Sequence, residues 1–147
     1  MKDSNVEALT KRTRFDSVCT LIFSGVFAVL AVLKLVWHAP DAACSNAFLS
    51  VIFLLTGLIF LDIRKNGKPF AKSVINKMRA IAICVMCSGI VPEIVGSIAR
   101  GAATDHFELV IDDRHVISMM LIGVIIGIFS ELFVYGHSLQ DDMDQIA

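Results

Sequence analysis

The sequence predicts an all-α fold, a four-helix transmembrane bundle with cytoplasmic N- and C-termini, and three observations predict it. Hydrophobic residues make up 56% of the 147 positions and charged residues 18%, whereas soluble domains average about 25% charged. The charges are clustered, leaving four runs of the roughly 20 mostly apolar residues that cross about 30 Å of hydrocarbon. Lipid offers the backbone no hydrogen-bond partner, so runs of this length form helices. Mean hydropathy is +0.73, and residues 1–147 read as a single integral membrane domain.

The first run covers residues 18–37, behind Lys11, Arg12 and Arg14. It exceeds the roughly 7–15-residue apolar core of a signal peptide and reads as a retained span. The others cover 43–61, 80–99 and 116–135, joined by a middle loop at 62–79 and a third loop at 100–115, with an acidic tail at 136–147. In the middle loop, Asn66-Gly67 signals a turn and Pro69 suits a helix start. From Phe70 onward, Val74, Ile75, Met78 and Ile81 recur at helical spacing. The third helix is therefore expected to begin as an amphipathic turn or two before it enters the bilayer. Pro92 removes an amide donor from this helix and predicts a kink beside Glu93.

Lys and Arg bias orients the chain. The N-terminal segment carries Lys2, Lys11, Arg12 and Arg14, and the middle loop carries Arg64, Lys65, Lys68, Lys72, Lys77 and Arg79. The first loop, residues 38–42, has neither residue type, and the third has Arg100 and Arg114 against four carboxylates. The N-terminus and middle loop are thus expected in the cytoplasm of a bacterial cell, under its inner membrane, and four spans return the C-terminus there. The net charge of −1 gives no sign of direct nucleic-acid binding. Asp141, Asp142 and Asp144 either remain solvated at a frayed terminus or pair with Lys65, Lys68, Lys72 or a partner's basic patch.

Three ionisable residues fall within the spans: Lys34, Glu93 and Glu131. A charge at mid-bilayer costs about 2.5–3.5 kcal/mol, so such residues usually face protein or water. Gly123, Gly127 and Glu131 lie on one stripe of helix four, and Gly89, Glu93 and Ser97 on one of helix three, with Gly96 nearby. Missing side chains let another helix approach, so both glutamates are expected to face neighbouring helices. That neighbour could belong to the same chain or to a homo-oligomer. Lys34 either snorkels past Trp37 or pairs with Glu93, and Glu131 either snorkels toward the cytoplasm or accepts hydrogen bonds from Arg79 or Asn76.

Chemistry is otherwise sparse. Cys84-x-x-Cys87 lies in a span without a second ligand pair at zinc spacing. His106, Glu108, Asp112, Asp113 and His115 could bind a divalent cation but read first as a solvated loop, since they lack a fixed ligand spacing. No phosphate loop, nucleophile elbow or zinc helix is present. Neither enzymatic activity, a resident metal nor a cofactor is expected.

Lys68-Pro69-Phe70, Asn76 and Met78-Arg79, followed by Glu131, Phe133, Gly136, Leu139, Gln140 and Asp144, resemble the signature segments of a bacterial four-span family labelled domain of unknown function 2975. Tails in that family often finish Leu-Thr-Val or Leu-Thr-Ile, whereas this one ends Gln145-Ile146-Ala147. Such proteins are frequently encoded beside a small helix-turn-helix regulator. The resemblance therefore implies a membrane sensor or regulatory protein that engages a small DNA-binding partner at its cytoplasmic face. The intramembrane carboxylate Glu93 supports a different expectation, a small transporter or channel.

Overall fold

The computed structural model describes the backbone of residues 2–66, 71–104, 109 and 111–146, and the side chains of residues 13–65, 71–104, 109, 111–139 and 142. It holds four α-helices: α1 (Lys2–Val36), α2 (Pro40–Asn66), α3 (Lys72–Thr104) and α4 (Asp113–Ile146). All four contain stretches long and apolar enough to cross a membrane, as expected of a multi-pass membrane protein.

The helices pack in series, α1 on α2, α2 on α3 and α3 on α4; among the described residues no other pair packs together. Each seam is antiparallel. Ser17 and Ser24 of α1 meet Gly57 and Ser50 of α2. Asp41 and Asp62 of α2 meet Gly96 and Ser73 of α3, while Arg79 and Gly89 of α3 meet Glu131 and Met119 of α4. α2 and α3 both stand inside this row, but α3 is far the more buried of the two. Its span is 39% buried, against 6% for α1, 6% for α2 and 11% for α4. Val74, Ile75, Ile81, Ala82 and Val85 form its buried apolar stripe, continuing the spacing read from the sequence. The outer faces of α1 and α4 expose Ile22, Val29, Val32, Leu121, Ile125 and Ile128, side chains suited to acyl chains.

Small residues set the approach at each seam. A Cβ added at Gly57 would lie 3.0 Å from the Leu21 side chain on α1, and one at Gly96 would lie 3.0 Å from Cβ of Asp41 on α2. Between α3 and α4, a Cβ at Gly89 would lie 2.8 Å from Cβ of Met119, and one at Gly123 would overlap Met86 and lie 2.9 Å from the Ala82 carbonyl oxygen. Without a hydrophobic drive between helices in lipid, such close approach and interhelical hydrogen bonds hold them together. The α1/α2 seam has both. Ser24 Oγ donates to the Ser50 carbonyl and Ser50 Oγ to that of Ser24, each at 2.9 Å, while Phe53 stacks on Phe27 at 5.5 Å.

The helices outrun the expected spans. α1 starts well before residue 18, and α4 continues as a helix through Ile146. No proline interrupts either extension. The first connection is shorter than residues 38–42. His38 takes a left-handed conformation with φ 55°, its N–H bonds the Leu35 carbonyl, and Ala39 N–H bonds that of Lys34. This paired arrangement closes a helix C-terminus, and Pro40 then opens α2, where a missing N–H costs nothing. At the start of α4, Asp112 Oδ1 accepts the N–H groups of Arg114 at 3.2 Å and His115 at 3.4 Å, capping the helix. α3 runs unbroken through Pro92.

Candidate functional site

The short turn at His38 and the length of α3 bring the start of α2 alongside the last turns of α3. Asp41 stands in the first turn of α2, where the helix dipole favours a carboxylate. Ser45 Oγ donates to the Asp41 carbonyl at 3.1 Å, committing its proton within α2. Gly96 lets Asp41 lie against α3, and Glu93 and Arg100 flank that glycine about one turn away on either side. Between them opens a cavity of about 340 Å³ lined by Asp41, Ser45, Asn46, Glu93, Gly96 and Arg100. A second, of about 250 Å³, shares Asp41, Gly96 and Arg100 and reaches His38.

The charges in this cavity are not spent on each other. The ion pairs among the described residues are Lys77–Asp62 and Arg79–Glu131, so neither Asp41 nor Glu93 pairs with Arg100. Arg100 is exposed, and its Nη2 donates to Oγ of the buried Ser97 at 3.2 Å. Two carboxylates, one guanidinium and the Asn46 amide thus line one space. Such a set can bind a cationic group and an anionic group at once through charge-assisted hydrogen bonds.

Sequence reasoning locates Glu93 and Gly96 but misses Asp41, Asn46 and Arg100 as their companions. The available signal is weak: Asp41 reads as part of a loop, and a loop charge does not reveal which helix it touches. The pairing of Lys34 with Glu93 is not formed. Their helices, α1 and α3, do not pack together, and Lys34 Nζ instead lies 5.7 Å from the Trp37 ring centroid, within cation–π range.

At the opposite end, Arg79 Nη2 donates to Glu131 Oε1 at 2.8 Å, joining two residues singled out separately in the sequence. The expectation that Glu131 is packed needs correction: its side chain is 59% exposed and that of Arg79 47%. Glu131 meets Arg79 across the α3/α4 seam while both side chains stay largely exposed. Asn76, also on α3, is exposed. A second cluster, unforeseen in the sequence, ties α2 to α3. Asp62 Oδ2 accepts Ser73 Oγ at 2.5 Å and pairs with Lys77, while Lys77 Nζ donates to Ser73 Oγ at 2.9 Å. The signal for it is an aspartate closing an apolar run before a Ser-x-x-x-Lys spacing.

The four glycines of the stripes differ. Gly89, Gly96 and Gly123 serve seams within the chain, but a Cβ at Gly127 would meet nothing within 4 Å, so this part of the stripe does not pack on α3. On the extension of α4, Gly136 is half-buried, and Leu139 and Asp142 are exposed. Lys68, Pro69 and Phe70, His106 and Glu108, and the side chains of Gln140, Asp141 and Asp144 lie outside the described residues. Among the described residues no group of three metal-ligating side chains assembles, and the four cysteines are free. Comparisons with protein-family models, curated proteins and solved structures give no match to this chain.

Proposed function

We propose that the chain is a bacterial inner-membrane sensor or regulatory protein. Its Asp41–Glu93–Arg100 cavity faces outward, and its Arg79–Glu131 end faces the cytoplasm and engages a small helix-turn-helix regulator. The Lys and Arg distribution supports this orientation, and the resemblance of the Lys68–Arg79 and Glu131–Asp144 segments to the four-span bacterial family supports the class of partner. One observation carries the reading: α3 lines an open polar cavity near one end and is tied to α2 and α4 near the other. A ligand that shifts α3 at the cavity would therefore act on the ion pairs at the other end. Deleting residues 140–147 is expected to abolish recovery of the regulator in a detergent pull-down of the full chain. Unchanged recovery would remove the tail from the account.

Glu93 in an open cavity also favours a second reading, as a transporter or channel site. It ranks lower because the buried stripe of α3 beyond the cavity, from Val85 to Val74, is apolar. On this reading, proteoliposomes would show pH-dependent cation flux that Glu93→Gln abolishes, and equal flux in parent and variant would end it.

A further inference from the structure

The polar cavity does not stand alone. Ser45 also lines a groove of about 320 Å³ that continues along the same side of α2 past Leu49 and Ile52 to Phe53. Val85 and Ser88 of α3 form its floor, and Met119 of α4 stands opposite α2. The groove exists because α2 and α4 both pack on α3 but not on each other. Apart from Ser45, Ser88 and His115 its walls are apolar, where the adjoining cavity is charged.

The dimensions match one leaflet. From Asp41 to Phe53, α2 rises about 18 Å, and half of the hydrocarbon core is about 15 Å. The Asp41 end lies at the start of the span and Phe53 near its middle. A molecule filling both spaces is polar at the membrane surface and apolar down to the bilayer centre.

We propose that this composite groove binds a phospholipid with an ammonium-bearing headgroup, of the phosphatidylethanolamine class, from the outer leaflet. The proposal deepens the sensor reading by naming its ligand and rests on it for the choice of leaflet. Asp41 and Glu93 receive the ammonium, Arg100 receives the phosphate through its planar donor fork, and an acyl chain lies between α2 and α4 over Val85 and Ser88. Charge complementarity selects this headgroup: two carboxylates disfavour an anionic glycerol headgroup, and the guanidinium disfavours a simple cationic amphiphile.

Native mass spectrometry of the full chain in detergent tests the assignment with phosphatidylethanolamine, phosphatidylglycerol of the same chains, and soluble glycerophosphoethanolamine. The ethanolamine lipid is expected to be retained at least about fivefold over the glycerol lipid, the kind of margin charge-assisted recognition supplies. Asp41→Asn with Glu93→Gln should erase that preference, and Leu49→Trp, which fills the groove, should lower retention of both lipids; circular dichroism checks that each variant is folded. Equal retention of the two lipids by the parent, a preference that survives the double variant, or competition by the soluble headgroup at the lipid's own concentration would each overturn the proposal. The measurement involves no regulator, so its failure is separate from failure of the pull-down.

Discussion

Gly123→Leu is expected to lower the thermal stability of the chain in detergent by about 1–3 kcal/mol, the usual cost of forcing side-chain atoms into a packed seam. A Cβ at this position already overlaps Met86 and lies 2.9 Å from the Ala82 carbonyl oxygen. Met86 can swing aside, but the carbonyl belongs to the α3 backbone and can move only if the helices part. Gly127, one turn along the same stripe, has nothing within 4 Å of an added Cβ. Gly127→Leu should therefore stay within about 0.5 kcal/mol of the parent, as substitutions away from packed features do. Thermal melts followed at the helical circular-dichroism band compare the two. Equal losses would show that α4 does not meet α3 through Gly123. A chain whose oligomers dissociate only in Gly127→Leu would assign that position to contact between copies.

Lys77→Met should destabilise the chain more than Arg79→Gln, although both remove a cation from an ion pair. The difference lies in solvent access: the side chains of Lys77 and Asp62 are 22% and 27% exposed, those of Arg79 and Glu131 47% and 59%. Exposed pairs contribute about 0–1 kcal/mol, whereas stripping one partner from a fully buried pair costs about 3–5 kcal/mol. The Lys77–Asp62 pair is the less exposed of the two but still open to solvent, so a loss of about 1 kcal/mol is expected. After the substitution, Asp62 would keep its hydrogen bond from the Ser73 hydroxyl and the weaker attraction of Lys65 but lose its ion-pair partner. Adding Asp62→Leu to Lys77→Met should recover part of the loss, because it removes the carboxylate left without its ion-pair partner, and the non-additivity measures the coupling. Raising salt should weaken the Arg79–Glu131 contribution first. An Arg79→Gln loss larger than that of Lys77→Met would invert the ranking and place the main α3 tether on α4.

Much of the architecture is legible in the sequence because the bilayer imposes local rules. A run such as residues 116–135 needs no partner to declare itself a helix, since its backbone must be satisfied within the segment. The buried stripe at Val74, Ile75 and Ile81 is equally readable, as it leaves the bilayer where polar and apolar faces separate. Helix ends are less so. The turn at His38 depends on a left-handed residue that is not glycine, and the α4 extension past Tyr135 carries no apolar excess to mark it.

The four membrane-length helices can be read from the amino-acid sequence alone, which leaves Glu131 open to Arg79, Asn76 or the cytoplasmic surface. It takes the packed chain to show that the helices stand in a row, that Glu131 meets Arg79, that Lys34 keeps to Trp37, and that Asp41 joins Glu93 and Arg100 around a cavity. The reason is physical. In water, polarity marks which face of a helix turns inward, but lipid is as apolar as a helix interface. Neighbours are then chosen by shape, through glycines such as Gly96 and Gly123 and the side chains that fit against them, and shape complementarity between distant segments is not written in the hydropathy of either one.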